Sequence, residues 1–242
     1  MNQVTLAIRE QAAHLLQGGT VDVVIGFKPG TLALKTQPAF ITRAEDAGQL
    51  VHNGFCQNNL ASFLTRRSSW SAQLSADRRL GDRRSARIGI VCRGCESRAV
   101  RALASEHQVK REDLYLIGVP CTGIIDGRKV ERAAGLKPEA SANASHASEE
   151  GDEIVVTFAG HQVRFARVDV LYDTCQHCTY PNPVGADVVL GEPVPEPGPQ
   201  DQWAASRELE ALPAAERYTF FAEESERCIR CYACREACPM CY

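Results

Sequence analysis

Eleven cysteines constrain this 242-residue chain more than any other feature, because each must be crosslinked, ligated or kept reduced. They make up about 4.5% of the sequence, below the roughly 8–10% of a short disulfide scaffold. The N-terminus, Met1 to Leu16, interrupts its apolar positions with Arg9 and Glu10 and lacks the unbroken apolar core of a secretory signal. The expectation is therefore reduced thiols in a cytoplasm, and an odd, paired-looking set of such thiols reads as metal ligation. With 44% hydrophobic and 24% charged residues the rest is ordinary globular material, long enough for one or two domains with a core. No run approaches the ~18 consecutive apolar residues of a membrane span. Residues 1–120 hold 16 Lys and Arg against 10 Asp and Glu, and residues 121–242 hold 11 against 20, so the halves carry +6 and −9. That asymmetry suggests a docking surface or two modules. Without an aromatic or basic recognition motif beside it, it is no argument for nucleic acid.

Periodicity lays out an α/β chain. Val4, Ile8, Ala12, Leu15 and Leu16 share one helical face that Gly18-Gly19 ends, and Val21 to Phe27 reads as a buried strand closed by Pro29-Gly30. A helical stretch is expected near Glu45 to His52. Between Arg66 and Arg87 the chain is rich in Arg, Ser and Asp, with Arg66, Arg67, Arg78, Arg79, Arg83, Arg84 and Arg87 read as a solvated surface loop rather than a site for an acidic partner. Ile88 to Val91, Glu96 to Ser105 and Leu114 to Val119 form a strand, helix, strand sequence, a parallel βαβ unit by preference. It places Cys92, Cys95 and Cys121 at the carboxyl ends of two strands, the edge where open α/β sheets gather ligand chemistry. The tract Glu139 to Glu150 reads as a loop, and Glu153 to Phe158 with Val163 to Val168 as a hairpin across Ala159-Gly160-His161-Gln162. Four prolines within the seven residues 193–199 make a stiff linker. The expected layout is an α/β domain over 1–191, a Pro-rich linker over 192–202 and a cysteine-dense tail over 203–242 that begins with two short helices.

The tail carries the sharpest motif, Cys228-Ile-Arg-Cys231-Tyr-Ala-Cys234-Arg-Glu-Ala-Cys238-Pro239. Its C-x2-C-x2-C-x3-C-P spacing is that of the bacterial ferredoxin run that binds 4Fe-4S clusters. Three thiolates at two-residue gaps wrap one face of a cubane, and inward backbone N–H groups can bond its sulfurs, whereas a structural zinc takes two separated ligand pairs. A small ferredoxin-like α+β tail follows. Cys238 and Cys241 both lie near enough to supply the fourth ligand, since the cysteine before proline serves the other cluster in two-cluster ferredoxins. The tail is read as incomplete at Tyr242, its site continued by further chain or by a partner.

The remaining cysteines allow three readings. Cys92-Arg-Gly-Cys95 sits where a redox dithiol would, after a strand and opening a helix, with Arg93 and Arg98 able to lower a thiolate pKa. The pairs 92/95 and 175/178 have zinc-site spacing. Cys95, Cys121, Cys175 and Cys178 could instead surround a second cluster. Resemblance separates these. The stretches Ile88-Gly-Ile-Val-Cys-Arg-Gly-Cys95-Glu-Ser-Arg, Leu116-Ile-Gly-Val-Pro-Cys121, and Cys175-Gln-His-Cys178 followed by Ala186-Asp-Val-Val-Leu-Gly191 resemble the beta-subunit family of deazaflavin (coenzyme F-420-type) reducing hydrogenases and formate dehydrogenases, over about residues 5–191. The resemblance implies that Cys95, Cys121, Cys175 and Cys178 ligate one 4Fe-4S cluster. It also implies an FAD beside that cluster, with Asn58 and Asn59 in the flavin-contacting loop Asn53 to Leu60, and a deazaflavin or other diffusible carrier as acceptor. The Arg-rich insertion, the extra Cys92 and the C-terminal ferredoxin run depart from the family pattern.

Cys56 and Cys92 read as buried spare thiols, His177 as solvent-facing, and Trp70 and Trp203 as belonging to no stacking pattern. No acid/base carboxylate pair and no phosphate-binding G-x4-G-K-[ST] run is present, so cofactors would carry the chemistry. The expected function is a cytoplasmic iron-sulfur electron-transfer subunit of an oxidoreductase complex. It would relay electrons between a catalytic partner, such as a formate dehydrogenase, hydrogenase or heterodisulfide-reductase-like subunit, and a flavin or deazaflavin. The rivals are a zinc-binding interaction module with a single tail cluster, and a dithiol oxidoreductase using Cys92 and Cys95.

Overall fold

The computed structural model describes residues 2–65, 86–137, 143–198, 201 and 203–241. Helix α1 (Gln3–Gln17) starts where the Asn2 side chain accepts from the Thr5 N–H, 2.8 Å away, and buries Ile8, Ala12 and Leu15. Val4 and Leu16 pack against the same cluster, as their spacing requires. Strand β1 (Val23–Pro29) follows, then β2 (Thr36–Ile41), β3 (Ile88–Cys92), α2 (Gly94–Ser105) and β4 (Leu114–Gly118). With β8 (Val188–Val189) these strands form one sheet in the order β2-β1-β3-β4-β8, parallel throughout except for the β1–β2 pair. The βαβ reading of 88–119 is thus borne out. Two strands buried on both faces can lie parallel only with a crossover such as α2 between them.

Side-chain alternation sorts the two faces. Val24, Val91 and Ile117 join the cluster under α1, whereas Ile25, Ile90, Cys92 and Leu116 join the one under α2 and the 3-10 turn Leu60–Leu64. A second sheet, β5 (Ala144–Glu150), β6 (Glu153–Phe158) and β7 (His161–Ala166), is antiparallel in sequence order. Its core of Ile154, Val156 and Phe165 packs with Phe55, Ile125 and Leu171. Short helices α3 (Gly127–Ala133) and α4 (Asp173–Gln176) flank it, and α5 (Ala204–Ala211), α6 (Ala214–Glu226) and α7 (Ala233–Ala237) make up the tail.

Four expectations change. Residues 144–150 form β5 instead of continuing the loop from Glu139, because β6 offers a hydrogen-bonding partner that overrides the polar composition. Strand β2, unanticipated, tolerates Pro38 because it is an edge strand. The helix expected over Glu45 to His52 is a shorter 3-10 turn, Ala44–Gln49. The hairpin loop tightens to Ala159-Gly160, both at positive φ (48° and 86°), so β7 begins at His161. Of the Arg-rich stretch, Arg66, Arg67, Arg78, Arg79, Arg83 and Arg84 lie outside the described residues, as does Trp70.

Candidate metal centre

The carboxyl edge of β3 and β4 is where the dispersed cysteines meet. Cys95 is the second residue of α2, Cys121 follows β4, and Cys175 and Cys178 lie in and just after α4. The chain between the last pair and β8 is pressed onto the first turn of α2. A Cβ at Gly94 would stand 2.0 Å from the Tyr180 carbonyl oxygen and 2.8 Å from that of Asn182. The Cys121 N–H donates to the Pro181 carbonyl at 3.0 Å, and a Cβ at Gly123 would come within 3.4 Å of the Cys175 Cβ. Asn182 also clasps Val194, donating to its carbonyl at 2.7 Å and accepting from its N–H at 2.9 Å.

Electrostatics report the same convergence. Cys95 is exposed at the helix start, yet partial desolvation and the field of Glu96 raise its pKa, with Cys175 and Cys178 adding to the shift. Burial pushes Cys121 up to about 11, against the opposing pull of Arg93 and the Gly123 N–H, and Cys95 and Cys175 contribute. Two sulfurs accept backbone N–H groups, Cys121 from Gly123 at 3.3 Å and Cys178 from Tyr180 at 3.4 Å. Arg98 lies 3.6 Å above the Tyr180 ring at the rim. Among the described residues no three His, Cys, Asp or Glu side chains are drawn tightly enough together to hold a metal ion. A cubane asks for a different arrangement, since each of its four thiolates binds its own iron. Four soft thiol ligands, two of them accepting backbone N–H groups at sulfur, fit such a cluster.

Cys92 behaves otherwise. It is fully buried, faces the α2 side of the sheet, and has its pKa raised by burial and then by Glu96, the reverse of an activated thiolate. Arg93 and Arg98 do not activate it, being engaged with Glu96 and Tyr180. Cys56 is likewise buried, with its pKa up to about 11 through burial, and His177 is exposed.

In the tail, Arg230 and Tyr232 take left-handed backbone angles (φ 57° and 58°), uncommon for residues with a Cβ, and curl the chain between Cys228, Cys231 and Cys234. Cys241 meets Cys238 through its side chain and lies in the field of Cys234. The tail cysteines are exposed, except Cys238, which is partly covered.

Beside Cys121 opens a cavity of about 220 Å³, lined by His52, Gly54, Gly123, Glu149 and Arg167 among others. Two of its lining residues carry a buried nitrogen with no hydrogen-bond partner, His52 at Nδ1 and Arg167 at Nη1. The other Arg167 Nη pairs with Glu149, which also accepts the Gly54 N–H at 3.0 Å. A Cβ at Gly54 would fall 2.6 Å from that carboxylate. Burial, followed by the charge of Arg93, lowers His52 to about 4. Asn58 and Asn59 are not among the cavity's lining residues. Asn59 caps the 3-10 turn through Ala61, and the Asn58 carbonyl accepts from Arg93. Sequence does not single out His52 and Arg167, because isolated polar residues carry no pattern.

Residues 85–212, more than half of the chain, match the family described as the C terminus of the coenzyme F420 hydrogenase/dehydrogenase beta subunit. The chain belongs to that family. It is 22% identical over 284 residues to the F420-dependent formate dehydrogenase 1 subunit beta of Methanococcus maripaludis, covering 95% of this chain and 70% of the relative. With the F420-dependent formate dehydrogenase subunit beta of Methanocaldococcus jannaschii the identity is 21% over 285 residues, with the same coverage. A chain of the F420-reducing [NiFe] hydrogenase complex from Methanosarcina barkeri shares the fold at a TM-score of 0.50 and 15% identity, over 72% of this chain and 59% of that one. The chain thus spans less than two thirds of that structural neighbour. Among the described residues no helix is long and apolar enough to cross a membrane.

Proposed function

We propose that the chain is an iron-sulfur electron-transfer subunit of a cytoplasmic oxidoreductase complex. Cys95, Cys121, Cys175 and Cys178 hold one 4Fe-4S cluster, and Cys228, Cys231 and Cys234 hold another, with Cys238 or Cys241 as fourth ligand. The observation that carries the reading is the meeting of four cysteines from three separate stretches at one sheet edge. The cavity beside Cys121 takes the ring of a flavin. Arg167 and His52 would present their spare nitrogens to its carbonyl-bearing edge, satisfying two buried groups that otherwise cost stability. When bound, the clusters supply one-electron couples and the flavin exchanges one or two electrons. The chain's own part is to space these groups, exclude water and dock a catalytic partner and a deazaflavin or similar carrier.

Metal and sulfide analysis of anaerobically purified protein tests this. About eight irons per chain, two cubanes of four, is expected, and about four irons with one zinc overturns the domain cluster. Cys121→Ser should remove one of two EPR signals and spare the other. A colourless supernatant after acid precipitation removes the flavin.

A further inference from the structure

On either side of Cys95 the chain buries an ion pair, Arg93 with Glu96, that the helix does not need in charged form. Arg93 and Glu96 are 3% and 0% exposed. Arg93 Nε donates to one Glu96 oxygen and Nη2 to the other, both at 2.9 Å. Glu96 further accepts the N–H groups of Arg93 at 2.9 Å and Leu60 at 2.8 Å, while Arg93 donates to the carbonyls of Cys56 and Asn58. The Phe27 ring lies 5.6 Å from the guanidinium. A neutral Ser or Asn would cap α2 adequately, and well-packed apolar side chains stabilise a core as well as a buried ion pair does.

The position of the charges gives them a use. Arg93 lies two residues before Cys95, and Glu96 directly after it. β4, paired with β3 and tied to it past the sheet by the Val119 N–H to Cys92 carbonyl bond of 2.9 Å, leads to Cys121. Both charges are therefore held in a dry interior, unscreened by salt, beside two proposed cluster ligands. A cubane held by four thiolates is anionic and gains negative charge on reduction, so a fixed cation favours its reduced form and a fixed anion opposes it. We infer that Arg93 and Glu96 are positioning residues that set the reduction potential of the domain cluster from opposite directions. This rests on the assignment of Cys95 and Cys121 as ligands.

The experiment is an EPR-monitored redox titration of the full chain with its clusters, following the signal that Cys121→Ser removes. Glu96→Gln leaves the guanidinium uncompensated and should raise the midpoint. Arg93→Gln should lower it, the double variant should fall between the two, and Arg93→Lys, which keeps the charge, should stay near wild type. The tail-cluster signal should not move in any of them. Shifts of the same sign in both single variants, or unmoved midpoints with the signal intact, overturn the inference. Should Arg93→Gln fail to load its cluster, Glu96→Gln alone decides, since a midpoint that does not rise refutes the tuning role. A wild-type chain without the domain-cluster signal instead removes the ligand assignment beneath it.

Discussion

At the scale of single residues, Gly94 is the most tightly enclosed of the described glycines. Any side chain there meets the Tyr180 carbonyl, and backbone cannot yield as a flexible side chain would. Gly94→Ala should therefore cost about 1–3 kcal/mol by overpacking and shift the segment after Cys178. Thermal unfolding should show the loss, and iron analysis should show the domain cluster depleted while the tail keeps its own. His52 gives a pH dependence of definite sign. Its folded pKa is depressed to about 4 from 6.5, so the unfolded chain binds more protons between those values and stability falls as pH drops through that window. Replacing His52 with Asn should flatten the decline in melting temperature between about pH 6.5 and 5.5 relative to wild type. The proposed ligand cysteines are visible in the sequence because thiol spacing is a sparse, specific signal. Gly94, His52 and Arg167 are not, since their importance comes from what the fold brings against them. Arg93 and Glu96 stand in view as an i, i+3 pair around Cys95, but whether such a pair is solvated or buried depends on Leu60 and Cys56, some forty residues away.

At the scale of elements, legibility follows burial. The runs that form β1, β3 and β4 are apolar on both faces and announce themselves, as does the helix between the last two. β5 and β2 do not, because few of their residues are fully buried, one of seven in β5 and two of six in β2, and their stability comes from a neighbouring strand rather than from their own composition. The β6–β7 turn is located by its Ala159-Gly160 but is two residues shorter than the sequence suggests. Ala159 carries a conformational penalty at φ 48°, so Ala159→Gly should stabilise the chain by about 0.5–1 kcal/mol, seen as a higher midpoint in urea at unchanged slope.

At the scale of the whole molecule, two halves of opposite charge are evident in the composition, and the structure adds a contrast in burial. Neither α5 nor α6 contains a buried residue, and Tyr218, Phe221 and Trp203 are exposed. A chain ended after residue 198 should thus keep the melting temperature of the remainder to within about 2 °C, since residues 203–241 lend it no core. Its iron content should fall by half. The grip of Asn182 on Val194 has a mechanical corollary. It anchors the proline-rich segment beside the proposed ligand cysteines, so the tether to Trp203 begins at Val194 and not at the end of β8. Nine residue steps extend to no more than about 32 Å. The tail is therefore on a short leash whose fixed end lies next to the proposed domain cluster, and loosening it by Asn182→Ala would lengthen the reach without altering a single proposed ligand.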